Sequence, residues 1–271
     1  MKIIQVTDTH LVPATQRLYG LDPFGRLRRV FATINDDHAD ADLCVLTGDL
    51  ADRGETEAYG LLRELLQELR VPWRLVIGNH DSRRNFVAVF PELPRDPGGF
   101  VQSVDDIGDV RCLFLDSAVE GYGHGALDCG RLDWVKQQLA GAGTRTVLAF
   151  IHHPLDAVGL RHFAPNGMVD PARAVAAFAD CPNPKHVFCG HLHVSAGGHW
   201  RGVPFSSSRG TAHSIPPHLT RPDADFVEAP PAFDVALIAD GSTVIHRFEV
   251  DTGRPVIAVS PAETFGEKAA S

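Results

Sequence analysis

The first two hundred residues alternate between short apolar runs and amphipathic segments, and this alternation restricts the possible folds more than any other feature. Six runs are rich in Val, Ile, Leu and Phe and have the length of strands that are buried on both faces. These predicted strands cover residues 2–7, 42–47, 73–77, 110–116, 144–151 and 185–189. Helical patterns lie between them, at residues 24–38, 56–69, 131–140 and 171–180. Strands that alternate with helices predict an α/β protein with helices layered around its sheets.

The pattern changes after residue 193, where shorter strand-like runs are joined by glycine turns. Residues 214–232 are rich in proline and show no periodicity, which is typical of a long functional loop or part of a small cap. We therefore predict a core over residues 1–210 and a loop or cap over 211–232. The remaining residues, 233–271, are expected to complete the second sheet and end in a tail.

Composition limits the partners and the compartment. The 271 residues suffice for one large domain, and a formal net charge of −9 disfavours binding to nucleic-acid polymers. No apolar run approaches the roughly 18 residues that a membrane span needs, and the N-terminus is unlike a signal peptide. The five cysteines form no C-x-x-C pair, so we expect mostly buried thiols in a reducing compartment, the cytoplasm.

Polar residues follow five of the six predicted strands within about three positions. The clusters are Asp8-Thr9-His10, Gly48-Asp49, Gly78-Asn79-His80-Asp81, His152-His153 and Gly190-His191-Leu192-His193. Residues two apart in an extended chain point to the same side, so Asp8 and His10 can reach one point. The carboxyl ends of strands are also where α/β sheets place their ligands.

Each cluster alone has an ordinary structural interpretation. Asp49 suits a helix cap, the Gly78–Asp81 stretch suits a capped turn, and a lone histidine such as His162 is more often structural than a ligand. Together, however, buried carboxylates and imidazoles at one sheet edge would be unstable without a cation between them. Oxygen and nitrogen donors without thiolates predict Mn, Fe, Co or Zn.

These five motifs, in this order, resemble the calcineurin-like metallophosphoesterase superfamily. Within it, "LYG" at 18–20, "FCGHLH" at 188–193 and "GTAH" at 210–213 resemble the class III cyclic-nucleotide phosphodiesterases and the related glycerophosphodiesterases. The resemblance implies a four-layer αββα sandwich of two mixed sheets. It also implies a two-metal site at the strand ends and a small C-terminal cap or extension.

The resemblance also implies roles for single residues. One divalent ion would be bound by Asp8, His10, Asp49 and His193, and the other by Asp49, Asn79, His152 and His191. Asp49 would then bridge the ions, and His80 would be the catalytic acid that contacts the phosphate. Substrate would be bound by His80, Asn79 and His213. On position alone, Arg17, Tyr19 and Phe24 are candidates for substrate contact, Asp81 for orienting an imidazole or capping a helix, and His153 for positioning its loop.

The implied reaction is hydrolysis of small phosphodiesters, such as 3′,5′- or 2′,3′-cyclic nucleotides, by in-line attack of a hydroxide that bridges two metal ions. A glycerophosphodiesterase or another phosphoesterase of the same fold remains an alternative, and a nuclease or a metal-free scaffold is less favoured. A protein phosphatase is disfavoured because Leu11 follows His10 and because Asp81 stands where that branch has Glu. The resembling subgroup also implies a homo-oligomer.

Overall fold

The computed structural model describes residues 1–253 and Pro255, so most of the predicted tail lies outside the described residues. The helices are α1 (Pro23–Asp37), α2 (Thr56–Glu68), α3 (Arg83–Val89), α4 (Cys129–Ala140) and α5 (Pro171–Ala179). The strands are β1 (Lys2–Val6), β2 (Leu43–Thr47), β3 (Trp73–Val76), β4 (Ser103–Ile107), β5 (Val110–Leu115), β6 (Gly125–Ala126), β7 (Thr146–Ile151), β8 (Met168–Val169), β9 (Lys185–Cys189), β10 (Ala196–Trp200), β11 (Val203–Ser207), β12 (Ala232–Ala239) and β13 (Ser242–Glu249). A short 3₁₀ helix covers Arg161–Asn166.

Two mixed sheets form the centre of the molecule. The first has the strand order β13-β12-β1-β2-β3, and the second has the order β10-β11-β9-β7-β5-β4. Strands β1, β2 and β3 run parallel, as do β5, β7, β9 and β11. Antiparallel strands β12 and β13 complete one side of the first sheet, and antiparallel strands β10 and β4 form the two edges of the second. The two short strands β6 and β8 pair with each other.

Successive side chains along the central strands point to opposite faces of the sheets, and this places helices outside both sheets in four layers. Ile4 of β1 packs in a cluster with side chains of α1 and α2, whereas its neighbour Ile3 packs against the second sheet. In the same way, Leu113 of β5 faces α4 and α5, while Phe114 faces the first sheet. Because successive side chains point to opposite faces, each central strand contributes to two cores. The predicted αββα sandwich of two mixed sheets is confirmed.

The strands after residue 233 join the first sheet rather than the second sheet that we expected. β12 pairs antiparallel with β1, with Lys2 opposite Leu237 and Gln5 opposite Asp234. Without this pairing, one edge of β1 would leave backbone N–H and C=O groups buried and unpaired. Phe233 of β12 packs with the outer helices, and Ile238 packs between the sheets.

Residues 211–232 run as a loop beside the strand ends. Ser214 and Val227 exchange two backbone hydrogen bonds and form a single β-bridge within this segment. The buried Arg26 of α1 donates to the carbonyl oxygens of Thr211 and Ala229, near the two ends of the loop. Among the described residues, no helix is long and apolar enough to cross a membrane.

Candidate active site

Loops from both sheets meet at one edge of the sandwich. The N–H of Asp8, after β1, donates to the Gly48 carbonyl after β2 over 3.1 Å. The N–H of His191, after β9, donates to Asp8 Oδ1 over 3.1 Å. Gly190, also after β9, donates to the carbonyl of His152 after β7 over 3.0 Å. These cross-links bring the predicted site residues of the two sheets together.

The Asp49 carboxylate lies at the centre of this edge. Its Oδ2 is 3.3 Å from His152 Nε2 and 3.6 Å from His10 Nε2, which approach from opposite sheets. Its Oδ1 accepts the backbone N–H of His80 over 2.9 Å. One oxygen therefore faces two imidazoles while the other is held by the chain.

A first donor group consists of Asp8, His10, Asp49 and His193. All four are buried, and one candidate ligand atom from each lies within 4.8 Å of the others. His193 Nε2 is 3.2 Å from His10 Nε2 and 3.4 Å from Asp8 Oδ1. Two carboxylates and two imidazoles that converge in this way fit a divalent transition-metal ion.

A second donor group lies on the other side of Asp49 and consists of Asp49, Asn79, His152 and His191. Asn79 Oδ1 is 3.1 Å from His152 Nε2, and the ring centroids of His152 and His191 are 5.1 Å apart. This group again offers only oxygen and nitrogen donors. The two groups share Asp49, the carboxylate that the family resemblance predicts to bridge two ions.

Hydrogen bonds fix the tautomer of all four histidines in these groups. Each uses one ring nitrogen to contact an oxygen that can only accept. The contacts are His10 Nδ1 to Asp52 Oδ1 (3.2 Å), His152 Nδ1 to the Thr47 carbonyl (2.9 Å), His191 Nε2 to the Asn166 carbonyl (3.1 Å) and His193 Nδ1 to the His213 carbonyl (3.2 Å). The bonded nitrogen carries the proton, so in the neutral ring the other nitrogen keeps its lone pair. This arrangement is typical of metal-binding histidines.

The backbone is left-handed at most of these positions. Five non-glycine residues of the donor groups have φ between 41° and 71°: Asp8, His10, Asp49, His191 and His193. Asp8 and His10 therefore converge from a left-handed backbone rather than the extended one that we expected. Such conformations are uncommon outside glycine and concentrate at functional sites.

Two glycines allow the donor groups to approach one another. A Cβ at Gly48, where φ is 94°, would lie 2.4 Å from His152 Nδ1. A Cβ at Gly78 would lie 2.2 Å from Asp49 Oδ1. Since both distances are shorter than real Cβ contacts, any larger residue would push the centre apart.

Burial and charge act in opposite directions on the central groups. Burial lowers the pKa of His152, but the adjacent Asp49 carboxylate, together with Asp8 and the Thr47 carbonyl, outweighs burial and raises that pKa to about 9. Burial raises the pKa of Asp49, yet His152, His80 and His10 hold it well below its usual range. Burial lowers the pKa of His193 to about 4, which keeps this imidazole in the neutral form that binds metals.

A family model described as calcineurin-like phosphoesterase matches residues 1–195. The chain belongs to this family. The matched range contains every residue of the two donor groups. The metal-binding family and the buried cluster of donors together support a centre for two divalent ions in this calcineurin-like phosphoesterase.

Relatives of this calcineurin-like phosphoesterase include enzymes that act on different diesters. A probable cyclic nucleotide phosphodiesterase of Rhodopseudomonas palustris is 40% identical over 79% of this chain and 80% of its own length. A 3′,5′-cyclic adenosine monophosphate phosphodiesterase of Escherichia coli K12 is 30% identical over 93% of both chains. A glycerophosphodiester phosphodiesterase of Enterobacter lignolyticus is 30% identical over 80% of this chain and 79% of its own.

Solved structures share the fold of this chain. A dimetal phosphatase of Danio rerio superposes with a TM-score of 0.69 over 91% of this chain and 95% of its own, at 14% identity. The predicted family, fold and enzyme class, a metal-dependent phosphodiesterase, are thus confirmed.

Asp81 does not have either role that the sequence suggested. Its carboxylate instead accepts from the N–H groups of Gly78 (2.8 Å), Leu50 (3.1 Å) and Ala51 (3.0 Å) and from the Tyr59 hydroxyl (2.9 Å). Helix α3 is capped by the side chain of Ser82. Burial and the nearby Asp49 raise the pKa of Asp81 to about 6. Each of its oxygens accepts two hydrogen bonds, and these bonds join the loops after β2 and β3.

His153 lies beside the second donor group but has both ring nitrogens engaged. Nδ1 lies 2.8 Å from the Ser117 hydroxyl, and Nε2 donates to the Gly123 carbonyl over 3.2 Å. Because neither nitrogen remains for a metal ion, these contacts agree with the positioning role expected for His153.

His80 and His213 reach the cleft above the donor groups. His80 Nδ1 donates to the Asp52 carbonyl over 2.7 Å, and its Nε2 lies 4.0 Å from Asp49 Oδ2. The His213 ring stacks on His193 with centroids 4.1 Å apart. Both predicted substrate-binding histidines therefore lie next to the centre.

The cleft has a volume of about 220 Å³, and its walls were only partly predicted. Tyr19 lines it as expected, whereas Phe24 packs against the core and Arg17 lies 3.8 Å from Asp22. The 3₁₀ helix supplies three lining residues that the sequence did not reveal: His162, Phe163 and Asn166. The Asn166–Gly167 pair is a turn signal, but such pairs do not indicate a cleft.

Proposed function

We propose that this protein hydrolyses cyclic nucleotides at a two-metal centre. The observation that carries the proposal is the position of Asp49, whose Oδ2 faces imidazoles of both donor groups below an open cleft. The cyclic-nucleotide phosphodiesterases among its relatives support the choice of substrate.

We assign one ion to the first donor group and one to the second, with Asp49 shared between them. Mn, Fe, Co and Zn all suit such imidazole and carboxylate ligands. When bound, these ions supply Lewis acidity and an acidified water for hydrolysis. The chain holds the ligands in place through the hydrogen bonds that fix the four tautomers.

His80 is proposed to assist the leaving oxygen. With Nδ1 bonded to the Asp52 carbonyl, a proton on Nε2 is directed into the cleft. His80 Nε2 lies 4.0 Å from Asp49 Oδ2, and its Nδ1 lies 4.0 Å from Asp52 Oδ1. Asn79 and His213 are proposed to contact the substrate from either side.

A glycerophosphodiester is the second candidate substrate, because one relative with matching coverage is a glycerophosphodiester phosphodiesterase. The test is a substrate panel with 3′,5′- and 2′,3′-cyclic nucleotides, glycerophosphodiesters and bis(4-nitrophenyl) phosphate, each with Mn, Fe, Co and Zn. We expect the highest kcat/KM with a cyclic nucleotide. A higher kcat/KM with glycerophosphodiesters would make them the assigned substrate. In either case, we expect two bound ions per chain in the active protein.

A cytoplasmic location and a homo-oligomer complete the proposal. All five cysteines, which lie in the described part of the chain, are free thiols, as suits a reducing compartment. Fractionation of cells that express a tagged chain tests the location. Light scattering after gel filtration tests the oligomer, and a monomer at working concentrations would remove that part of the proposal.

A further inference from the structure

Three rings from two loops form one side of the cleft, which we call the aromatic wall: Tyr19, His213 and Phe226. The Tyr19 and Phe226 centroids are 5.3 Å apart, and they lie 5.3 Å and 5.1 Å from the His213 centroid. His213 in turn stacks on His193 of the first donor group. The aromatic wall therefore begins at the metal-binding centre and extends outward.

The outer two rings are unusually accessible. Tyr19 is 65% exposed and Phe226 is 49% exposed, although both are large side chains with apolar faces. The φ of Tyr19 is 51°, a left-handed conformation that a bulky residue seldom adopts. Packing does not explain why a strained backbone should hold a ring half in solvent, whereas binding of a ligand does.

The backbones behind these two rings are held in place. Leu18 and Leu21 exchange backbone hydrogen bonds of 3.1 and 2.8 Å across the turn that carries Tyr19. Phe226 directly precedes Val227, whose N–H and C=O both bond to Ser214. The two rings are thus presented by bonded turns, which lowers the entropic cost of ordering them on binding.

His213 adds an independent sign of a ligand. It is 3% exposed and lines the cleft, yet within the described part of the chain neither of its ring nitrogens has a hydrogen-bond partner. A buried polar group without a partner is costly. A substrate hydroxyl or ester oxygen beside His213 would satisfy it.

We infer that Tyr19 and Phe226 form a stacking subsite for a nucleobase attached to the phosphoester. Every nucleobase presents a flat π face that stacks on aromatic side chains, whereas a glycerol or ethanolamine substituent has no such face. A phosphate at the donor groups would place the base along the aromatic wall. This inference rests on the proposed function and extends it by identifying residues that select nucleotides.

The test compares two ligands that differ only in the base: adenosine 5′-monophosphate and ribose 5-phosphate. Their Kd values are measured by calorimetry on the Mn-loaded protein. We expect the wild type to prefer the nucleotide by at least about fivefold, the lower end of a single stacking interaction. Phe226→Ala and Tyr19→Ala should reduce this preference, and Phe226→Trp should retain it. Leu219→Ala, an exposed position on the same loop, serves as the matched control.

Three outcomes would overturn the inference, and the first two are no preference for the nucleotide in the wild type and a preference that survives both alanine substitutions. Equal weakening of both ligands would also reject it, because that result indicates a disturbed centre. Hydrolysis of cyclic nucleotides is measured on the same samples. If the wild type prefers the nucleotide but hydrolyses none, the proposed function fails while the stacking subsite stands.

Discussion

The cleft is built from two regions that differ in how their side chains are held. The floor consists of the two donor groups, which are packed at the strand ends, and their four imidazoles are each fixed by a hydrogen bond to an oxygen. In the aromatic wall, by contrast, Tyr19 and Phe226 are exposed side chains on loops. Rigid strand ends suit chemistry that tolerates no displacement, and loops suit the choice of substrate. Substitutions in the floor should therefore affect all substrates, and substitutions in the wall only some.

The largest effect is expected for Asp49→Asn, which tests whether the floor acts as one unit. Asp49 is the carboxylate shared by both donor groups, so an amide should weaken both metal sites and remove detectable turnover of every diester. Metal analysis and a substrate panel measure this, with the exposed Asp133→Asn as control. Two tightly bound ions with normal activity in the variant would contradict the shared role.

His80→Ala should separate metal binding by the floor from turnover in the cleft above it. The imidazole lies above the donor groups, so metal content should stay unchanged while kcat falls by about 10²–10⁴-fold, the usual contribution of a general acid. Exposed His246 provides the matched control, His246→Ala. Full activity in the His80 variant would remove its catalytic assignment.

Asp52→Ala tests whether the hydrogen bonds behind the floor matter. Asp52 Oδ1 is the acceptor for His10 Nδ1, and losing such a partner typically costs about 10–100-fold in metal affinity or activity. Metal titration followed by calorimetry measures the loss. Asp52→Asn keeps an acceptor oxygen and should lose less, and equal behaviour of the two variants would argue against this role.

The smallest effect on activity is expected for Tyr59→Phe, which tests the support beneath the floor. The buried Tyr59 hydroxyl donates to Asp81 and accepts the N–H of Ser82, both over 2.9 Å. Removing it leaves the partly buried N–H of Ser82 without its acceptor and the buried Asp81 carboxylate without one donor, which should lower the free energy of unfolding by about 1–3 kcal/mol. Urea denaturation measures this, with the exposed Tyr122→Phe as control. An unchanged urea midpoint would show that the Asp81 carboxylate does not need the hydrogen bond from Tyr59.

The sequence was sufficient to predict that the residues of the floor converge, because the signals for this convergence are local. Strands buried on both faces are short apolar runs, and the polar residues that follow them needed only the convergence of strand ends to become a site. Edge strand β4 was missed because Asp105 and Asp106 interrupt its apolar pattern. The position of β12 beside β1 depends on which strand still has an unpaired edge. The order of the strands along the chain does not specify which strand this is.

The walls were harder to predict because they depend on contacts between distant loops. Arg161 and His162 of the 3₁₀ helix bond to the carbonyl oxygens of Thr220 and Pro222, and these bonds join the helix to the 211–232 loop. Neither segment has a periodicity that would predict this contact. The contacts of Asp81 could not be predicted for the same reason, because its partners Leu50 and Ala51 lie in the loop after another strand.

The left-handed backbone of the donor groups restricts which amino acids evolution or an experimenter can place there. Outside glycine, this conformation is most readily adopted by Asn, Asp and His, and it is strained for β-branched side chains. Asp8, His10, His191 and His193 adopt this conformation, and so does the shared Asp49. Backbone geometry thus favours the same three residue types that supply oxygen and nitrogen ligands. A valine at Asp8 or His193 would remove a ligand and also strain the main chain, so asparagine is the cleaner probe of ligand chemistry at these positions.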